Sequence, residues 1–452
     1  MRQRIRLGVV ALALVAPLAA NGQDAAPSSP PPPPPLKVMA PAERRKLIER
    51  FLGEMTLART DFIRALSTLD PQVAAIGADA IFHEYATSIA AARDAAILAL
   101  YGGDGEQADL PAVSSGELVA IARRTAEAFV AATSAAATEL SQAAANAQRP
   151  AAEIEADLLR VLAARGYRHS LTAYADDVGY DTLIDFDQAR RADPRIGRAA
   201  DAAEADEPAR SARDAAIAAY REIGTRLARA VVAKAGASAA ATRTRWGGQD
   251  EPAEVTEILS RHKQGAAQWQ DANEALADAF ERFLLSGGDA QAAARWRLRS
   301  LAATVDRSIL VFSSARALLD GAILLGVSEQ ELAPLRAALD EAAVAQVERM
   351  KATLAAHRRW IAELKAAGLR EGSSEPSEAL LAAHERQMAL DRSLCQRVLT
   401  SIGSPLVREA LSKMPSPEAW VRAPYWLQKW REEQRAAQAP APGNAVEGAA
   451  PR

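Results

Sequence analysis

Apolar residues spaced three and four positions apart recur along most of this chain, and that period constrains its fold more than any other feature. Val255, Ile258, His262, Ala266, Trp269, Asn273, Leu276, Phe280 and Phe283 form one such seam. Leu298, Leu301, Val305, Ile309, Phe312, Leu319 and Ile323 form a second, and Val347, Met350, Leu354, His357, Ile361 and Leu364 a third. Side chains at this spacing share one face of an α-helix, so each seam predicts a helix with a buried side. The stretch from Asp289 to Ala367 reads as two long helices that meet at Leu325-Gly326-Val327-Ser328. Asp289 has the position of an N-cap, and Gly326 that of a C-terminal stop. Ser328-Glu329-Gln330-Glu331 spells a capping box, in which serine and glutamate satisfy each other's free amides. Pro334 falls early in the second arm and predicts a kink or a later start. The hairpin is framework: one pair within a bundle to which the helices from Asp250 and Ser377 also belong, not an isolated coiled coil. Arg316 and His357 are the polar intrusions in it.

The fold class that follows is all-α, with long antiparallel helices in one or two bundles and disordered termini. Composition agrees. Alanine makes up about a quarter of the 452 residues and aromatics only 5%. Alanine is the strongest helix former and lets helices approach closely. A chain of this length can bury a sizeable core.

The ends differ from the middle. Arg2, Arg4 and Arg6 precede an apolar run from Leu7 to Leu18 and small residues at Ala20 and Gly22. That order is the spelling of a secretory signal peptide over residues 1–22, and the run is too short to span a bilayer comfortably. Residues 23–40, with Pro30 to Pro35, read as a proline-rich disordered linker. Residues 41–236 read as an N-terminal helical domain, 237–249 as a linker containing Trp246-Gly247-Gly248, 250–433 as a C-terminal helical bundle, and 434–452 as a disordered tail. The expected location is therefore the bacterial periplasm or the extracellular space. Cys395 is the only cysteine, so no intramolecular disulfide can form and packing must hold the chain together. Loss of the three leader arginines takes the formal charge from −3 to −6, which gives no reason to expect nucleic acid as a partner.

Signatures of chemistry are sparse. The chain has no phosphate-cradling glycine loop, no dinucleotide fingerprint, no nucleophile elbow and no HExxH pair. The richest constellation lies in the least periodic stretch, Tyr167 to Asp206. There His169, Asp176, Asp177, Asp181, Asp185 and Asp187 are candidate ligands for a divalent metal, because a hard cation needs several carboxylates close together. The spelling fails the calcium-loop pattern, since Asp181 stands where glycine is required. The plainer reading is a solvated acidic loop whose carboxylates cap helices and pair with nearby arginines. His262, His357 and His384 lie on or beside seams and read as core or boundary residues, and Cys395 reads as a buried inert thiol.

Trp420, Arg422, Tyr425, Trp426 and Trp430 crowd the proline-broken C-terminal end. Aromatics interleaved with arginine suit a binding patch or a weak membrane contact, and equally a lid over the end of the bundle. The turn Val327-Ser328-Glu329-Gln330-Glu331-Leu332 resembles the Leu-Thr-x-x-Gln turns of small periplasmic stress chaperones. Serine replaces threonine, Gln330 stands one place early and the chain is far longer, so no function is carried across. The expectation is an exported binding, scaffold or chaperone-like envelope protein with a protein partner or self-association, and with no cofactor. The alternative is a metal-dependent helical enzyme using the Tyr167–Asp187 segment.

Overall fold

The computed structural model describes residues 46, 49, 52, 56–67, 78–101, 113–143, 149–167, 180–246, 250–305, 314–369 and 375–412. Among the described residues there are thirteen helices and no strand. They are α1 (Arg59–Ser67), α2 (Ala78–Tyr101), α3 (Ser115–Ala143), α4 (Ala151–Gly166), α5 (Thr182–Ala192), α6 (Pro194–Ala203) and α7 (Glu207–Trp246). Next come α8 (Ala253–Ser286), α9 (Ala290–Thr304), α10 (Ser314–Leu324), α11 (Glu329–Ala366), α12 (Glu378–Ser401) and α13 (Pro405–Ser412). The all-α reading holds. The leader, the proline run, the tail and the Trp420–Trp430 cluster lie outside the described residues.

Most of the first seam is buried along α8, at Val255, Trp269, Asn273, Leu276, Phe280 and Phe283; Ile258 and His262 are half-buried and Ala266 is exposed. This helix packs chiefly on α7, which in turn packs on α3 and α4. The principal core runs without a break from Leu52 to Trp296. A smaller core gathers Leu319, Leu332, Leu335, Leu394, Val398 and Leu411 from α10 to α13.

Residues 237–249, expected as a linker, differ from that reading through Trp246. They are the closing turns of α7, and Ala237, Ala239, Ala240 and Ala241 are buried. Gly236 does not stop the helix; it lets α7 touch α3. A Cβ there would lie 2.7 Å from the backbone oxygen of Ala122, closer than real contacts allow. The same core also spans the expected boundary, because α8 and Trp296 belong to it.

At its turn the hairpin follows expectation at Gly326 and in the serine half of the capping box, while Glu331 Oε2 accepts from the Ser328 hydroxyl at 3.1 Å. Gly326 takes a left-handed φ of +78°, and Ser328 Oγ accepts from the Glu331 amide at 3.4 Å. Glu331 Oε1 accepts from the Gly403 amide at 3.1 Å, tying the turn to the start of α13. α11 begins at Glu329 and runs through Pro334, so the later start does not occur. The first arm is not one helix: α9 ends at Thr304, where Val305 turns to extended backbone with ψ 140°, and Ser314–Leu324 form a separate helix, α10. The adjacent β-branched Thr304 and Val305 weaken helix continuation at this point.

The aperiodic stretch holds two short helices. Asp181 N-caps α5 and Asp193 N-caps α6, with Pro194 at the first helical position, where it costs no hydrogen bond. Runs this short contain too few turns to display a period. Phe186 of α5 stacks on Phe280 of α8 at 3.8 Å, and Trp296 of α9 stands edge-on to both. The Trp296 indole N–H donates to the Ala277 carbonyl at 3.0 Å. This aromatic triad fixes the α5–α6 corner against α8 and α9, and that corner positions the site.

Candidate functional site

The two ends of α5 meet different chemistry. At its head Asp181 accepts from the amides of Leu183 at 3.0 Å and Ile184 at 3.2 Å, and pairs with Arg160, whose side chain is wholly buried. Arg160 also donates to Asp157 Oδ1 at 3.2 Å. Asp157 takes Arg149 at 3.1 Å and both arms of Arg221 at 3.0 Å. Burial pushes the Asp157 carboxyl up, but Arg160 and Arg221 outweigh it and hold the carboxyl below its ordinary range. Beside this knot Asn273 Oδ1 accepts from the Thr182 amide at 3.1 Å and the Tyr220 hydroxyl at 2.8 Å. The polar residue in the α8 seam thus anchors the first turn of α5. Buried charge paired across these segments holds them in register, although Nη1 of Arg149 and Nη2 of Arg160 are buried without a hydrogen-bond partner.

At the tail of α5 a cavity of about 460 Å³ opens. Six helices contribute to it: α5, α6, α9, α10, α11 and α12. Its apolar wall is Ala189, Ile196, Leu298, Leu339, Ala343, Met350 and Leu390. Its polar groups are Asp193, Arg295, Arg299, Arg316, Asp340, Gln346, Gln387 and Asp391. Arg295 spans it, donating from Nη1 to Asp193 at 2.8 Å and from Nε to Asp340 at 3.2 Å, with Nη2 also on Asp340. Arg299 donates to Asp185 at 2.7 Å. Asp193 is pushed up by partial burial, yet the Arg295 guanidinium and the Arg195 and Ile196 amides hold it below the ordinary carboxylate range. Behind the corner Arg195 donates to Asp289, the N-cap of α9, at 2.7 Å. The cavity lies on the seam between the principal core and the hairpin helices. Leu298 packs toward Met350 and Leu354 on one side and Ala343 and Val347 on the other.

Of the candidate metal ligands, His169, Asp176 and Asp177 lie outside the described residues. Asp181 and Asp185 are engaged by Arg160 and Arg299. Asp187 is half-buried, and burial pushes its carboxyl up to about 6 against the pull of Arg191, Arg160 and Arg190. Among the described residues no three His, Cys, Asp or Glu side chains are placed to hold a metal. Trp420, Arg422, Tyr425, Trp426 and Trp430 lie outside the described residues. His262 stacks on Tyr167 at 4.6 Å, and burial, reinforced by Lys234, pushes its imidazole down to about 4. His357 meets Trp360 edge-on at 5.9 Å. Cys395 is buried, and that burial, with Asp391 nearby, pushes its thiol up to about 12.

Arg316, singled out as a polar intrusion, does line the cavity. Arg295, Arg299, Asp340, Gln346 and Gln387 were not foreseen, although each breaks an otherwise apolar or alanine-rich helix. Among the described residues no helix is long and apolar enough to cross a membrane. No family model matches the chain, and no curated protein or solved structure matches it either.

Proposed function

We propose that this chain is an exported all-α binding protein that takes a small ligand into the cavity between the α5–α6 corner and α9, α11 and α12. One observation carries the reading. Here the helices stand apart around about 460 Å³ of space with apolar walls and converging polar groups. Small-molecule sites have volumes in the range of about 300–1,000 Å³ and this division of lining. Export rests on the basic leader and its apolar run.

Native mass spectrometry of the protein purified from the cells that make it tests both halves. The expected result is a noncovalent organic adduct lost on denaturation, on a chain that starts after Ala20 or Gly22. A cytoplasmic chain still beginning at Met1 overturns export; an adduct that survives denaturation overturns the cavity reading.

A second reading, acid–base or metal chemistry at the acidic segment, draws its support from Asp187 and its raised carboxyl. Elemental analysis decides it together with melting measured with and without Mn²⁺, Zn²⁺ or Ca²⁺. Neither bound metal nor a shift in melting leaves that reading without support.

A further inference from the structure

We infer that the cavity takes an uncharged, amphipathic organic molecule rather than an ion. This deepens the binding reading above and rests on it.

The charges that line the cavity balance one another at short range. Three arginines and three aspartates line the space, so their formal charges cancel. The pairs are also built. Arg295 forks onto Asp340 and reaches Asp193 with its remaining arm, and Arg299 is held by Asp185. Arg316 and Asp391 are also engaged, so an anionic ligand would have to compete with an existing partner of Arg295, Arg299 or Arg316. A cationic ligand would compete with Arg295 for its carboxylates in the same way. These pairs are only partly buried, so breaking one costs less than it would in a closed core, but the cost falls on a charged ligand and not on a neutral one. A neutral ligand disturbs none of them.

What it would meet is chemically specific. Leu298, Leu339, Met350 and Leu390 offer apolar walls from three helices. Met350 adds a thioether that adapts to irregular shapes. Gln346 and Gln387 bring amides, each able to donate and to accept. Apolar walls with a few oriented polar groups fix the pose of a small ligand, and amides do so without charge. The ligand class is therefore a compact molecule with an apolar body and one or two amide, hydroxyl or carbonyl groups.

Fluorescence titration of the full-length mature protein with two dyes provides the test: Nile red, which is neutral, and 1-anilinonaphthalene-8-sulfonate, which is anionic. Two variants fill the space from different helices, Gln346→Phe on α11 and Leu390→Trp on α12. Thermal melting identifies whichever variant stays folded. The expected result is one saturable Nile red site, insensitive to salt and weakened about tenfold or more in the folded variants, with the sulfonate binding about tenfold less tightly. Tighter, salt-sensitive sulfonate binding that both variants abolish overturns the neutral class while leaving the cavity as the binding site. Dye binding that is absent, or unchanged by both variants, overturns the cavity reading along with it.

Discussion

Three arginines converge on Asp157, a wholly buried carboxylate, and Arg160 passes the charge on to Asp181 at the head of α5. Asp157→Ala removes the partner of Arg149, Arg160 and Arg221 together. It is expected to cost about 3–5 kcal/mol in urea unfolding, because the buried guanidinium of Arg160 keeps its charge. The exposed pair Arg261–Glu257 is the control: Arg261→Ala should stay within about 0.5 kcal/mol of the parent. Two further residues set opposite pH slopes. The imidazole of His262 is depressed to about 4 in the folded state, against an ordinary 6.5. The unfolded chain therefore takes up its proton first, and stability falls as pH drops from about 6.5 to 4. Asp187, raised to about 6 from 3.8, contributes stability below 3.8 that is lost as pH rises through 6. Melting curves across this window should show His262→Phe flattening the acid-side loss. Asp187→Asn should melt higher than the parent at pH 7 and no higher at pH 3.5. The residue scale is also where the sequence was hardest to read. Arg316 stood out because it interrupts an apolar seam. Arg295 and Arg299 did not, because α9 also carries Arg297 and nothing in the spelling says which guanidinium meets Asp340 or Asp185.

At the scale of elements, periodicity located the long helices, and local chemistry placed their ends. Ser114 and Glu117 form the capping box their spelling implies: the Ser114 amide donates to Glu117 Oε2 at 2.9 Å and the Glu117 amide to Ser114 Oγ at 3.2 Å. Gly326 turns where a left-handed residue was needed. The role of Gly236 is hard to read because glycine has two uses that look alike in a sequence. At a helix end it relieves the left-handed conformation; at a crossing it removes a Cβ from another backbone. The distinction is measurable. Gly236→Ala gains helix propensity of about 1 kcal/mol but drives a methyl into Ala122, so a net loss of about 1–3 kcal/mol is expected from thermal melting. Gly116→Ala, in the first turn of α3 with no atom within 4 Å of the new methyl, should raise stability by up to about 1 kcal/mol. The α5–α6 corner was illegible for a different reason. Its two helices are held by Asp181, Asp193 and an aromatic triad drawn from three helices, and of these only Phe280 of α8 stands in a periodic seam.

At the scale of the molecule, Arg295 joins the principal core to the hairpin by reaching from α9 to the α5–α6 corner and to α11. Two further ties cross the same seam lower down, Lys351 to Glu281 at 2.8 Å and Arg358 to Glu274. Arg295→Met keeps the apolar stem and removes the fork. Hydrogen exchange is then expected to quicken in α11 and α12 while α4, α7 and α8 keep their protection. Uniform quickening across all five helices would mean that Arg295 supports the whole fold and not the seam.

The unbroken core from Leu52 to Trp296 also bears on the order in which the chain can become a protein. A chain leaving the ribosome, or threading a membrane on the export reading proposed above, cannot complete that core until α8 and Trp296 have emerged. Earlier helices that pack on α8 stay short of that partner: Phe186 waits for Phe280, and Tyr220 for Trp269. Late closure keeps a passenger threadable through most of its transit. It also means that a chain broken within α7 yields two fragments, each displaying the apolar face that the other was meant to cover.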